Sequence, residues 1–168
     1  TLNDAGPPIV TFDPNTNNQF VVSYYADGDG TRFKVGTISG TSISFGTEAS
    51  LPTSIASWSP LAAFDPTTAG KFVVVYRPFS GSGVYSIVGT VSGTSISFGT
   101  QVTISSSSVS YVRGVAFNPA TAHKFLAQYV AGGVTINVIG TISGTNVSFG
   151  SLNLNSVASS ACRMAFTP

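Results

Sequence analysis

Charge is what this sequence has least of. Asp, Glu, Lys and Arg make up 8% of its 168 residues, against roughly 25% in an ordinary soluble domain. The formal net charge of +1 gives no long-range field to draw a polyanion, and no stretch gathers lysines or arginines, so nucleic acid is not an expected partner. No apolar run approaches the roughly 20 residues that span a bilayer, and Thr1 opens the chain without a basic-then-apolar signal, so no membrane insertion is expected. The single cysteine, Cys162, has no partner for an internal disulfide and falls in a predicted strand, where a small buried hydrophobe is expected. Helical periodicity is missing throughout.

The residues that do catalysis are sparse too. The one histidine, His123, sits in the turn Ala120-Thr-Ala-His-Lys124 with no sequence neighbour to act as a base or to orient it, and is expected to be a solvated turn residue. There is no Gly-x-Ser-x-Gly elbow, zinc spacing or phosphate loop. A glycosidase needs two carboxylates, but Asp13 and Asp65 occupy turn positions where the corresponding residues are Asn118 and Thr167. Asp27-Gly28-Asp29-Gly30 resembles the start of a calcium loop, yet residues 31 to 38 hold no later acid, and the matching turns Ser80-Gly-Ser-Gly83 and Gly132-Gly133 keep only the glycines. No enzyme, metal or cofactor is expected.

What the chain has instead is one phrase written three times: Gly36-Thr-Ile-Ser-Gly-Thr-Ser-Ile-Ser-Phe-Gly46, Gly89-Thr-Val-Ser-Gly-Thr-Ser-Ile-Ser-Phe-Gly99 and Gly140-Thr-Ile-Ser-Gly-Thr-Asn-Val-Ser-Phe-Gly150, spaced 53 and 51 residues apart. A second marker travels with it. Phe12-Asp13-Pro14, Phe64-Asp65-Pro66, Phe117-Asn118-Pro119 and Phe166-Thr167-Pro168 recur at intervals of 52, 53 and 49 residues. Between the markers, short β-branched and aromatic runs alternate with Gly, Pro, Asn and Ser turns, four runs to a repeat. In the first repeat they are Ile9 to Phe12, Phe20 to Tyr25, Arg32 to Ile38, and Ser42 to Phe45 running on to about Leu51.

Repeats of about 52 residues with four strands fit propeller blades. The predicted fold is all-β and β-propeller-like, a single repeat domain over 1–168. Its four-stranded antiparallel blades fall at about 8–52, 60–105 and 112–155, and 156–168 holds one strand of a fourth. The second strands, such as Phe72-Val-Val-Val-Tyr76, are apolar without alternation, as burial on both faces requires. Small residues in the first strands, Ala62, Ala63, Gly114, Ala116 and Ala165, suit the innermost position. The aligned Phe20, Phe72 and Phe125, with Tyr24, Tyr76 and Tyr129, are expected to pack blade on blade. Closed propellers have roughly four to eight blades, so this stretch is an incomplete ring alone. Its expected partners are other chains or the missing blades of the same assembly.

The string Val-Gly-Thr-Val-Ser-Gly-Thr-Ser-Ile-Ser-Phe-Gly at 88 to 99, with Phe-Val-Val-Val-Tyr at 72 to 76, resembles repeats in tail-fibre and appendage-like structural proteins of aquatic bacteriophages. Similar strings occur in large repetitive surface proteins of environmental bacteria. The resemblance brings no catalytic residue; it implies a virion or extracellular, cell-surface part that positions or recognises something.

A meander puts the turns joining strands one to two and three to four on one rim, and the remaining connections on the other. The first rim repeats itself: Asp-Pro-Asn-Thr, Asp-Pro-Thr-Thr and Asn-Pro-Ala-Thr, then Ser-Gly-Thr three times. The second differs from blade to blade, carrying Asp27, Asp29 and Arg32, then Arg77, Phe79 and Tyr85, then Trp58, Tyr111, Arg113 and Arg163. Aromatic rings, guanidinium groups and a few carboxylates suit sugar stacking and polar recognition, or equally packing between blades. The expected function is a non-enzymatic structural or recognition module contacting a receptor, a surface glycan or a partner protein. The alternative is a lectin-like propeller, which would repeat its binding residues in every blade.

Overall fold

The computed structural model describes residues 8–26, 30–52, 60–78 and 82–151, and the backbone of 153–155. Among them every regular element is a strand. Alternating β-branched runs and tight turns make three successive antiparallel meanders. The first comprises β1 (Ile9–Phe12), β2 (Gln19–Ala26), β3 (Gly30–Ser39), β4 (Ser42–Phe45) and β5 (Ala49–Ser50); the second, β6 (Leu61–Phe64), β7 (Lys71–Tyr76), β8 (Val84–Ser92), β9 (Ser95–Phe98) and β10 (Val102–Ser105); the third, β11 (Val109–Phe117), β12 (Lys124–Ala131), β13 (Val134–Ser143), β14 (Asn146–Phe149) and β15 (Asn153–Asn155). The first repeat's fourth strand, expected to run on to about Leu51, is broken into β4 and β5, both on β3; the second and third sheets have the same extra short strand, β9 and β10 pairing with β8, and β14 and β15 with β13. The third sheet opens earlier than expected, because β11 starts at Val109 and runs nine residues with register shifts on either side of Val112. The strand expected within 156–168 lies outside the described residues.

The glycines of the repeated phrase have separate physical jobs. Gly36, Gly89 and Gly140 pair across the sheet with Phe20, Phe72 and Phe125. Each ring lies over its glycine so closely that a Cβ there would fall 2.1–2.2 Å from the ring, so the missing side chain is the seat of the aromatic. Gly40, Gly93 and Gly144 sit at φ near +60° in the first central position of the β3–β4, β8–β9 and β13–β14 hairpins, where a type II′ turn needs glycine.

Successive side chains in a strand face opposite ways, so each sheet has a front, bearing Phe20, Phe72 or Phe125, and a rear. The sheets stack front to rear. Val21 and Phe33 on the first sheet's rear share a core with Phe72, Val74, Tyr76 and Ile87 on the second sheet's front, with Phe33 and Phe98 rings 5.1 Å apart, edge to face. Val73, Val75, Val84 and Val88 on the second sheet's rear share another with Phe125, Ala127, Tyr129 and Val138 on the third sheet's front. The middle strand β7 is therefore buried on both faces, and Phe72 to Tyr76 are all 0% exposed. At roughly 1.5–3 kcal/mol per large apolar side chain, this strand is the chief anchor of the stack. The first strands lie together, β6 touching both β1 and β11, and Ala62, Ala63 and Ala116 help line an open recess of about 450 Å³ shared by all three sheets.

Candidate functional site

The two rims are built by different rules. On the repetitive rim, Asp13, Asp65 and Asn118 each accept a hydrogen bond from the backbone N–H two residues on, all at 2.9 Å, the Asx turn that an Asx-Pro sequence favours. The turns end on Asn18, Gly70 and His123, all at φ near +60 to +70°. The carbonyls of those residues accept from Ile38, Val91 and Ile142 at 2.8–2.9 Å, locking the turn to the third strand of its own sheet.

The carboxylates reach further. Asp13 Oδ2 accepts from the Gly70 N–H of the next sheet at 2.7 Å, and the equivalent oxygen of Asp65 lies 2.6 Å from His123 Nδ1 of the third sheet. The Asp65 side chain is fully buried and that of His123 is 44% exposed. Burial pushes the Asp65 carboxyl up, but the hydrogen bonds from His123 and from the Thr67 hydroxyl and N–H outweigh it, and the group ends below its ordinary value. His123, expected to be solvated, instead clasps two sheets together. Gln19 Nε2 donates to Gly93 O at 3.2 Å and Lys71 Nζ to Gly144 O at 2.7 Å, so the starts of β2 and β7 each hold the next sheet's hairpin. A recess of about 310 Å³ between Lys71, His123 and Gly144 is thus walled by groups that are already engaged. Among the described residues no group of three His, Cys, Asp or Glu side chains converges.

On the variable rim, Asp27, Asp29, Trp58, Phe79 and Arg163 lie outside the described residues. The other five separate into three places. Arg32 stands on the front of the first sheet, its Nε 3.2 Å from Glu48 Oε1. Lys34 Nζ lies 3.5 Å from the other Glu48 oxygen, to which the Tyr24 hydroxyl also donates. The Tyr24 hydrogen bond, with Lys34 and Arg32 beyond it, lowers the Glu48 carboxyl despite some desolvation, while burial and then Glu48 raise the Tyr24 phenol. Tyr85 packs beside Tyr76, ring centroids 6.0 Å apart, against the first inter-sheet core, and its hydroxyl donates to Ser82 O at 3.3 Å.

Arg77 reaches from the second sheet to the third, where Tyr111 and Arg113 form a pair of their own. Arg77 Nη1 donates to Val109 O at 3.3 Å, bridging to the start of β11. Two residues further, Tyr111 is 57% exposed and the Arg113 guanidinium carbon lies 4.5 Å from its ring centroid, a cation–π contact. The register shifts on either side of Val112 set both side chains on this edge, and Arg113 Nε is buried without a hydrogen-bond partner. An exposed aromatic ring beside a guanidinium is a pairing suited to stacking on a planar or sugar ring.

The sequence comparison of rims names these three residues and Arg32, but it does not anticipate the Asp65–His123 clasp or the grouping of Arg32 with Tyr24, Lys34 and Glu48. The clasp was there to be found by offsetting the repeats: the Asp of one turn meets the last turn residue of the next. No family model matches the chain, and no curated protein matches it.

Proposed function

We propose that the three sheets are consecutive blades of a β-propeller-like module and that the module is a non-enzymatic structural and recognition part of a surface assembly, such as a virion appendage. Three features support the propeller reading: front-to-rear stacking of equivalent meanders, first strands gathered side by side, and small residues lining the recess they share. Recognition is assigned to the variable rim. The observation that carries it is the exposed Tyr111 ring braced by Arg113, on a rim that does not supply the fixed turns of the fold.

The ligand class is a receptor or partner surface that offers a ring and hydrogen-bond acceptors, with a surface glycan as the simplest case. A lectin with a pocket in every blade would repeat the Tyr–Arg pair, but among the described residues only the third sheet carries it. The test is binding of the intact chain to bacterial surface polysaccharide and to whole cells, compared with Tyr111→Ala. Loss of a central aromatic anchor costs about 1–2 kcal/mol or more, so affinity should fall about tenfold with no change in thermal midpoint. Unchanged binding by Tyr111→Ala refutes the assignment.

A further inference from the structure

The interface between sheets is made twice among the described residues, and each half of it also occurs once with no described sheet against it. At the first interface, a Cβ on Gly46 would fall 1.9 Å from the carbonyl oxygen of Thr94 in the second sheet's hairpin; at the second, a Cβ on Gly99 would fall 2.1 Å from that of Thr145 in the third. None of these glycines is held at a left-handed φ, so what requires them is the hairpin pressed against them. Gly150 closes the third copy of the phrase, yet among the described residues a Cβ there would meet nothing closer than 3.8 Å. No described hairpin presses on the third sheet's copy of the cradle. Lys124, the counterpart of Gln19 and Lys71, is exposed with no hairpin carbonyl to hold, and Ile139 is 41% exposed where Val35 and Val88 are 1% and 0%.

The first sheet's front shows the complementary half. Ile43 and Phe45 are both 57% exposed, while their counterparts Ile96 and Phe98, and Val147 and Phe149, pack into the two cores. A Cβ on Gly40 in its hairpin would meet nothing within 4 Å among the described residues. The outer faces also differ from the inner ones in polarity. Only the third sheet's rear carries Gln128 and Asn137, which pair at 2.8 Å. Only the first sheet's front carries Arg32 and Lys34, both already held by Glu48, where the inner fronts have Tyr85 and Ile87, or Ile136 and Val138.

We infer that the rear of the third sheet docks the front of the first sheet of a second copy of this chain, with Thr41 seated over Gly150, Lys124 on Gly40 O and Ile139 against Ile43 and Phe45. The same contact made reciprocally closes two chains into one ring. The three described sheets of each copy give six, within the roughly four to eight that closed propellers contain. Closure rests on the propeller reading; the docking itself rests on the repeated interface and not on recognition at the variable rim.

The test is sedimentation equilibrium of the intact chain from micromolar to near-millimolar concentration, beside Gly150→Val and, on the opposite face, Ile43→Lys. The expected result is a particle of twice the chain mass that grows no further. Gly150→Val, whose Cβ would make only an ordinary contact 3.8 Å from Ile139 O among the described residues, should keep its circular dichroism and thermal midpoint at low concentration but weaken association roughly tenfold or more. Ile43→Lys should do the same. A monomer throughout, or a dimer indifferent to both substitutions, overturns the docking and leaves the propeller reading standing. Open-ended polymers abolished by Gly150→Val overturn ring closure and the propeller geometry with it.

Discussion

Replacing Gly46, Gly99 and Gly150 one at a time by alanine should give opposite signs of stability change at three positions that the sequence writes identically. Alanine for glycine at a compatible backbone position stabilises by about 0.4–1 kcal/mol, because it reduces the freedom of the unfolded chain. At Gly46 and Gly99 that gain is overwhelmed. The new Cβ would lie 1.9 and 2.1 Å from a backbone carbonyl oxygen, which cannot rotate away, so the hairpin of the neighbouring sheet must move as a unit. Overpacking of this kind costs about 1–3 kcal/mol, and for a chain of this size each kcal/mol lowers the thermal midpoint by about 2–4 °C. Gly46→Ala and Gly99→Ala should therefore melt several degrees below the wild type. Gly150→Ala, with 3.8 Å of clearance, should melt at or slightly above it, measured at concentrations low enough to keep chains apart. Urea unfolding with a common slope would confirm that the native state is what changed. Three alanine variants with the same sign and size of effect would refute the idea that these glycines exist for a neighbouring hairpin.

Two further outcomes follow from the packing and the clasp. Because the Asp65 carboxyl is held below its ordinary value in the fold, its contribution to stability is full above the unfolded carboxylate value of about 3.9 and is lost as pH falls through the lower folded value. The wild type should lose urea resistance below about pH 4 more steeply than Asp65→Asn, and parallel curves would contradict the clasp. Phe72→Ala should cost about 3–5 kcal/mol, since it removes a fully buried ring that covers Gly89 and meets Phe64 and Phe98; a loss under 1 kcal/mol in denaturant unfolding would show that β7 does not anchor the stack.

The part of this fold legible in the sequence is the part contained in one repeat. The Gly-Thr hairpin, the Asx-Pro turn and the two-faced apolar strand are each set by neighbours within a few residues or one strand away, so the three sheets appear where the repeated phrase puts them. The break between β4 and β5 was not legible, nor was the early start of β11, because strand pairing and register shifts decide them. Contacts between repeats stayed hidden for a different reason. Asp65 and His123 are 58 residues apart, and Lys71 and Gly144 are 73; neither pair shares a position in its own repeat, so aligning the repeats does not bring them together. At the variable rim, residue type alone did not separate Tyr85, which packs in a core, from Tyr111, which projects from an edge strand beside two register shifts. Charge was a better guide than aromaticity: Arg32 and Lys34 mark the sheet front that no described sheet covers.

Solution X-ray scattering of the intact chain across a concentration series bears most directly on the whole account, because it reads shape and mass together. The account predicts that the pair-distance distribution passes from that of a three-sheet wedge to that of a flat, closed disc of twice the mass, and that Gly150→Val remains a wedge. A wedge at every concentration, or a particle that lengthens without limit, would contradict it.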